Sequence, residues 1–551
     1  MISLATYWRT IRHLRRQQIL ARLRRVVPQL SRVAGPLPPT RSLQASFGEF
    51  IRRTGPIRSG DCFRFLNQAC HVTTRGDWNN RGPSKLWLYN LHYFEWLRET
   101  TAAERIAEDA AWLDRWIVDN PIGRGVGWDP YPISLRAVNW IVWFLTFGRG
   151  TESHFKSLAA QIRHLTRSIE YHLGGNHLLA NATALVFAGA FFEGPEADRW
   201  RARGLELLDG QIREQILADG AHFELSAMYH SLALEGMLDL LGLGHAYSDV
   251  LGAPLTAMGL KETTSQMAQW LGAIRHPDGQ IPYFNDAAFG IAPSPADLLS
   301  YAKDRGVPVN RSVNHLTVLQ PSGFAILSRP PFHVIFDCGR IGPDYLPAHA
   351  HADTLSFELS LGDNRLISNS GTSTYERGSE RERERATSAH ATVEIDGVSS
   401  AETWASFRVG RRPNVAPVQY GTDQRLDWVE TWHDGFRYLP GSPTHRRRVT
   451  ATTDQVCLAD WIEGSGIHSI RGILPIHPGV TVEKLAESRF RLGLPSGQAV
   501  ELVIDGPVGV TATTGMFAPA FGSTVSRPLI EWRLRGTLPI SVETRFRICG
   551  P

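Results

Sequence analysis

Three side chains able to bind a metal ion or move protons recur at alternate positions in Pro347-Ala-His-Ala-His-Ala-Asp353: His349, His351 and Asp353. Leu355, Phe357 and Leu359 continue the alternation as an apolar row, with Thr354, Ser356 and Glu358 between them. Period two predicts a strand with one buried face. Burying two imidazoles and a carboxylate on such a face is costly unless they are paired or ligated. A His-X-His pair pointing one way suits either a metal ion or an anion, so the stretch reads as a site.

Two further clusters precede it. In Gly174-Gly-Asn-His-Leu-Leu-Ala-Asn181 the paired glycines end one predicted helix, and Asn176 and His177 open the next. Backbone N–H groups there favour a negative ligand; the plainer alternative makes Asn176 an N-cap. In Asp219-Gly-Ala-His-Phe-Glu-Leu-Ser-Ala-Met-Tyr-His230, the side chains of His222, Glu224, Tyr229 and His230 crowd the start of another predicted helix. Ser226, Tyr229 and His230 would share one face, although a tyrosine in such a row also serves as a core residue with a satisfied hydroxyl. After the His-X-His stretch come Asn369-Ser-Gly-Thr-Ser-Thr-Tyr375 and Ser388-Ala-His-Ala-Thr-Val-Glu-Ile-Asp-Gly397. The charge run Tyr375-Glu-Arg-Gly-Ser-Glu-Arg-Glu-Arg-Glu-Arg385 between them reads as a solvated loop, with arginines placed to meet a polyanion at a cleft mouth.

The elements that must position these clusters fall into two kinds. Apolar residues at three-to-four spacing predict helices over 101–118, 133–147, 155–173, 178–192, 199–217, 224–241 and 260–274, joined by short Gly/Pro/Asp turns. Successive helices of this sort suggest stacked antiparallel pairs, as in a helical toroid. From Leu316 onward, short alternating or β-branched runs predict antiparallel strands, including 332–337, 354–361, 391–396, 447–452, 481–485, 499–504 and 539–548. The expected division is 1–45 as a basic helix and Pro-rich linker, 46–311 as a helical domain and 312–551 as a β domain.

At 551 residues the chain is too long for one core, and 42% hydrophobic with 10% aromatic residues excludes wholesale disorder. A net charge of +4 gives no argument for nucleic acid but suits an acidic substrate. Five scattered cysteines without a CxxC pair read as reduced thiols and exclude a zinc ribbon. The first acidic residue is Glu49. Residues 1–30 interleave Leu4, Trp8, Ile11, Leu20 and Leu23 with seven arginines and lack the apolar core of a secretory signal. They read as a helix docked on the protein body, or as a peripheral contact with an anionic membrane surface. A cytoplasmic location, with inner-membrane contact as its variant, is the corresponding expectation.

Taken together and in this order, the motifs resemble the heparinase II/III-like polysaccharide lyases, a group that includes alginate lyases. Tyr89-Asn-Leu-His-Tyr-Phe-Glu-Trp96, the Gly-Asn-His turn, the Asp219-Gly to Tyr229-His230 segment, His349-Ala-His-Ala-Asp353, Asn369-Ser-Gly-Thr372 and His390-Ala-Thr-Val393 carry the likeness from about residue 50 onward. The resemblance implies an incomplete α/α toroid followed by an antiparallel β-sandwich, with the active site between them. It implies β-elimination at a uronic acid of an acidic polysaccharide. Asn176 and His349 would meet the uronate carboxylate, with His177 as base or neutraliser, Tyr229 as acid or acid and base, and Tyr375 as a second candidate base. Tyr93, Glu224, His230, Arg381 and Arg385 are the expected substrate contacts. A structural zinc and no organic cofactor are implied, with His351 and His390 as ligands and Asn369 where relatives have aspartate; a neutral amide is the poorer zinc ligand. Lack of an export signal would suit a role in bacterial surface polysaccharide metabolism. Two rivals stand beside this reading: a non-catalytic polysaccharide-binding protein on the same fold, and a metal-dependent hydrolase built on His349, His351 and Asp353.

Overall fold

The structure is a computed structural model describing residues 3–24, 33, 35–55, 57–309 and 314–549. The expected domain boundary at 311/312 lies outside the described residues, as do 1, 2 and 25–30 of the expected N-terminal helix. Long helices occupy Ile106–Asp119, Pro130–Phe147, Glu152–Ser168, Gly175–Phe191, Pro195–Gln215, Ala227–Ala246 and Leu260–Ile274, each within a few residues of its expected place. Periodicity missed Lys85–Tyr93, Ser248–Ala257, Pro295–Asp304 and a three-stranded sheet over Arg58–His71. These are short, and their apolar content is set by packing on larger neighbours.

Helices Gly175–Phe191 and Pro195–Gln215 run side by side because glycines sit at their crossing: a Cβ on Gly189 would lie 2.4 Å from Arg201 N, and one on Gly204 2.7 Å from Val186 N. Close approach of this kind lets aromatic residues fill the centre of the helical layer. Trp78, Trp87, Trp96, Trp116, Trp140, Trp143 and Trp270 are all fully buried there.

Among the described residues the β domain holds a five-stranded sheet from Leu316–Leu319 to Asn364–Ile367, an eight-stranded sheet and a four-stranded sheet, paired antiparallel throughout. The eight-stranded sheet alternates strictly in strands such as Thr444–Ala451 and Gln455–Glu463. Its inward row, including Val429, Val449, Leu458 and Phe546, shares one core with Leu327, Val334 and Leu359 of the five-stranded sheet. That is the expected sandwich, a two-faced packing of half-polar sheets. The helical core continues across the junction to Phe324, Ile335, Phe517 and Phe521, so the two domains meet over apolar surface.

Candidate active site

A cavity of about 650 Å³ lies between the domains, lined by Tyr93, Asn176, His177, Glu224 and Tyr229 from the helical side and by His349, Tyr375 and Phe407 from the β side. Residues more than three hundred positions apart in the chain, Tyr93 and Phe407, thus share one cleft.

On the helical wall, Gly174 and Gly175 both adopt positive φ. A Cβ on Gly175 would sit 2.4 Å from Leu346 and 2.9 Å from Glu224 Oε1, so only glycine admits this helix start so near the β domain. Gly174 is the N-cap, which leaves Asn176 in the first turn and removes the capping alternative. Its amide side chain bonds to Tyr131 instead. His177 Nδ1 lies 3.1 Å from Glu170 Oε1, and its ring packs on Tyr131 at 4.4 Å. Burial opposes ionisation of Glu170, but His177 and the Asn181 amide hold its pKa below the usual value.

Tyr229 is set by the start of the next helix, which begins at Ala227 rather than at Glu224. Ser226 caps it by accepting the Tyr229 N–H at 3.2 Å, and Leu225 turns the chain with a φ of +58°. His222 and Glu224 therefore sit on the preceding turn. The buried Glu224 carboxylate takes the Asn176 backbone N–H and lies 3.4 Å from His349 Nε2. Burial raises its pKa, with His349 opposing.

The His349–Asp353 stretch is not a strand; pairing begins only at Phe357, after Leu355 has turned with a φ of +63°. The physical reason is a carboxylate that the sequence did not single out. Asp286, on the connection after helix Leu260–Ile274, accepts from His349 Nδ1 at 2.8 Å and from His351 Nε2 at 2.8 Å, one imidazole on each oxygen. Arg381 donates to both oxygens as well, and Asp286 N–H bonds to His349 O. Each partner binds a fully buried anion, which outweighs the ladder hydrogen bonds a strand would have made. Although burial alone would raise it, Arg381 and the two histidines hold the Asp286 pKa far below the carboxylate range. His-X-His does aim both rings one way, but at a carboxylate, not a shared metal.

This arrangement corrects the roles expected of the arginines. Residues Ser379–Arg385 form a short helix, not a solvated loop, with Arg381, Glu384 and Arg385 buried. Arg381 is consumed by Asp286 and Ser406 O, while Arg385 bonds to the carbonyls of Ala350, Ala405 and Arg408. Neither lines the cavity, whose cationic side chains are instead Arg53, Lys85, Arg98, Arg408 and Arg412.

Tyr229 and Tyr375 approach from opposite domains until their hydroxyls are 2.9 Å apart. The Tyr229 ring lies on His349 at 3.9 Å between centroids, and Arg381 stands 4.9 Å from the Tyr375 ring. Burial, with negative charge nearby, holds both phenols well above their ordinary pKa; Arg381 opposes this only at Tyr375. Tyr93 lines the same cavity with its ring 5.8 Å from Tyr131.

His230 does not join the site. It is fully buried, bonds to Met267 O at 3.0 Å and takes the His222 N–H at 3.2 Å, and burial pushes its pKa down to about 3. Its ring is a neutral link inside the helical domain, neither a substrate contact nor a cation for Tyr229. Asp353 is likewise turned away, accepting Asn285 N–H, so the hydrolase set of His349, His351 and Asp353 never converges. Among the described residues no cluster of three His, Cys, Asp or Glu has metal-site geometry. Even so, among the described residues His351 Nδ1 and Asn369 Nδ2 are buried without partners, and His390, its ring 5.3 Å from that of His351, meets the Glu384 backbone. An orphaned imidazole nitrogen is what a divalent ion would satisfy, whereas Asn369 Nδ2 is a donor and its Oδ1 already accepts the Ala391 N–H at 3.3 Å, so the histidines are compatible with an ion but the amide is a poorer ligand than a carboxylate.

The sequence reading also passed over Tyr131, Glu170 and Phe407. Asp286 carried a faint signal in Tyr283-Phe-Asn-Asp286, a polar pair closing an apolar run, but nothing local says that the pair faces another domain.

Comparison with known proteins agrees with this architecture. The family model described as Heparinase II/III N-terminus matches residues 77–294, and that described as Heparinase II/III-like, C-terminal matches 312–543. A heparin-sulfate lyase of Pedobacter heparinus is 26% identical over 357 residues, covering 58% of this chain and 53% of that protein. The chain thus aligns with about half the length of that relative. A crystal structure of heparinase III superposes with a TM-score of 0.69 at 17% identity, covering 86% of this chain and 79% of the other. That of a heparan sulfate lyase from Pedobacter heparinus gives 0.58 at 17% identity, over 97% and 88%. At such identities the structures speak for the fold, and the two matched regions, one on each side of the cleft, speak for the lineage: the chain belongs to the heparinase II/III-like family.

Proposed function

We propose that the protein is a polysaccharide lyase acting on a uronic-acid-containing polysaccharide by β-elimination. The observation that carries this reading is the convergence of Asn176, His177, Tyr229, His349 and Tyr375 on one cavity from two domains. The α-proton of a uronate is weakly acidic, so charge must be drawn off the carboxylate before a base removes it, and the glycosidic oxygen needs a proton as it leaves. Asn176 and His349 neutralise the carboxylate. Because Asp286 takes Nδ1–H, Nε2 is the nitrogen of His349 left for the cavity. Burial raises the Glu224 pKa and so works against its negative charge beside an anionic ligand.

Tyr375, with Arg381 beside its ring, is the base once ionised, and neutral Tyr229 is the acid. Tyr375 oxygen takes the C5 proton, the electron pair forms the C4–C5 double bond, and the C4–O bond breaks as Tyr229 gives its proton to the leaving oxygen. The 2.9 Å contact then lets Tyr375 return its proton to Tyr229, restoring the starting state. His177, oriented by Glu170, assists at the carboxylate. A divalent ion, if bound by His351 and His390 with the Asn369 amide, would act structurally by fixing the loops that carry His349 and Tyr375. A polymer of a bacterial surface is the substrate class we favour; heparin and heparan sulfate, named for the relatives, belong in the same screen.

The test is a screen of uronate polysaccharides for new unsaturated ends by their ultraviolet absorbance, run beside Tyr229→Phe. Product from the wild type and its loss in the variant are expected. Binding without product would favour the non-catalytic reading, and equal activity in both proteins would remove Tyr229 from the mechanism.

A further inference from the structure

Helices α1 (Leu4–Ile11) and α2 (Arg16–Arg24) are amphipathic in the reverse sense to the rest of the protein. Surface helices normally bury the apolar stripe and leave the polar face in water. Here the polar face is docked. From α1, Thr6 and Arg9 bond to Glu402, with Arg9 Nε at 2.8 Å, and Trp404 Nε1 donates to Thr10 at 3.1 Å. From α2, Gln18 is only 4% exposed and reaches Leu173 O of the helical domain and Tyr345 O. Arg15, between the helices, stacks on Tyr345 at 3.6 Å and pairs with Glu214.

The apolar stripe of α1 points to solvent instead. Leu4, Trp8 and Ile11 follow i, i+4, i+7 spacing, with Leu4 88% and Trp8 64% exposed, while Tyr7 beside them packs its ring on Trp404 at 5.1 Å. On α2, Ile19, Leu20 and Leu23 are exposed in the same manner, Leu23 at 63%. Exposed apolar residues concentrated on two short helices mark a surface that is covered in use. The segment also contains no acidic residue before Glu49, and Arg12 and Arg16 are exposed beside the stripe.

We propose that this outward face is a docking surface for an anionic membrane, in which the leucines, Trp8 and Ile11 enter the headgroup boundary and Arg12 and Arg16 meet lipid phosphates. Charge decides the occupant. A second copy would bring arginines against arginines with no carboxylate to answer them, whereas an anionic bilayer answers each one. No helix among the described residues is long and apolar enough to span a bilayer, so the contact is peripheral. Thr10 and Leu14 line the cavity on the other side of these helices, so docking sets the cleft mouth close to the membrane plane, where a membrane-tethered glycan would lie. The proposal is independent of the lyase reading.

The experiment is flotation of the full chain with equimolar phosphatidylglycerol–phosphatidylcholine vesicles and with pure phosphatidylcholine vesicles, beside equilibrium sedimentation without lipid. Expected are binding to the anionic vesicles that weakens with salt, and its loss by at least about a hundredfold in Leu4→Ser/Trp8→Ser/Ile11→Ser. Arg12→Gln and Arg16→Gln should each weaken it about fivefold. Unchanged circular dichroism and thermal unfolding would show the triple variant folded, and Leu20→Ser/Leu23→Ser repeats the test on α2 should it not be. Failure of the wild type to float, or a dimer abolished by these same substitutions, would overturn the proposal.

Discussion

Two histidine–carboxylate pairs stand on opposite walls of the cleft and are built on different plans. Glu170 and His177 belong to one domain, seven residues apart, and Glu170 also accepts from the amide of Asn181, on the same helix as His177. Asp286 and His349 join two domains, and the same carboxylate also holds His351 and Arg381. The first pair is a local device, able to orient a ring and little more. The second is at once a catalytic support and the polar bolt through the domain junction. A side chain that does both cannot be changed without affecting stability, which a single-domain pair allows.

Substituting the bolt is therefore expected to have the largest effect. Asp286→Asn leaves Arg381 buried beside a neutral amide and removes the anion that orients His349; unfolding by urea should show a loss of about 3–5 kcal/mol, with turnover down more than about a thousandfold. Retained stability would break the comparison at its base. Next come the phenols, which touch both walls. Tyr229→Phe should lower kcat by about 10²–10⁴ with unfolding little changed, and adding Tyr375→Phe should cost little more, because the two hydroxyls act as one unit. An additive double variant would separate them. Glu170→Gln is expected to reduce kcat/KM about tenfold, the value of one charge-assisted hydrogen bond, with a loss of stability much smaller than that of Asp286→Asn.

The pH dependence of the local pair sharpens the contrast. Folded Glu170 ionises below its ordinary value, so its contribution is present above the unfolded carboxylate range and fades as pH falls through the lowered folded value. The stability gap between wild type and Glu170→Gln, followed by urea unfolding, should accordingly be constant near neutrality and close in acid. The smallest effect is expected at the orphaned nitrogens. Zinc should raise the melting temperature slightly and chelator reverse it, whereas Asn369→Asp should bind zinc at least about tenfold more tightly, read by metal content after dialysis.

Much of this cleft was legible in the order of residues. Periodicity separated the helical half from the strands, and within each half the neighbours in sequence remained neighbours in space, as Asn176 with His177 and Ser226 with Tyr229 show. What failed was the inference from alternation to a strand at His349–Asp353, because a carboxylate from another domain offered those side chains stronger partners than a β ladder. The arginines of Ser379–Arg385 misled for the same reason: a charge run is solvated unless something buried needs it, and Asp286 and four carbonyls did. His230 looked like part of the Tyr229 cluster, yet one step around the helix puts it in the core.

By itself, then, the sequence determined the two-domain order, the helix and strand periods, the glycines that open the Asn176 helix and, among the residues lining the cavity, Tyr93, Asn176, His177, Glu224, Tyr229, His349 and Tyr375. Such features depend on local spacing and backbone sterics, which a linear pattern records. Only the tertiary structure decided that Asp286 organises the β wall, that Tyr229 and Tyr375 touch, and that the N-terminal helices turn their apolar stripes outward. Each of those is a choice among partners far apart in the chain, settled by burial and charge once the domains have closed on one another.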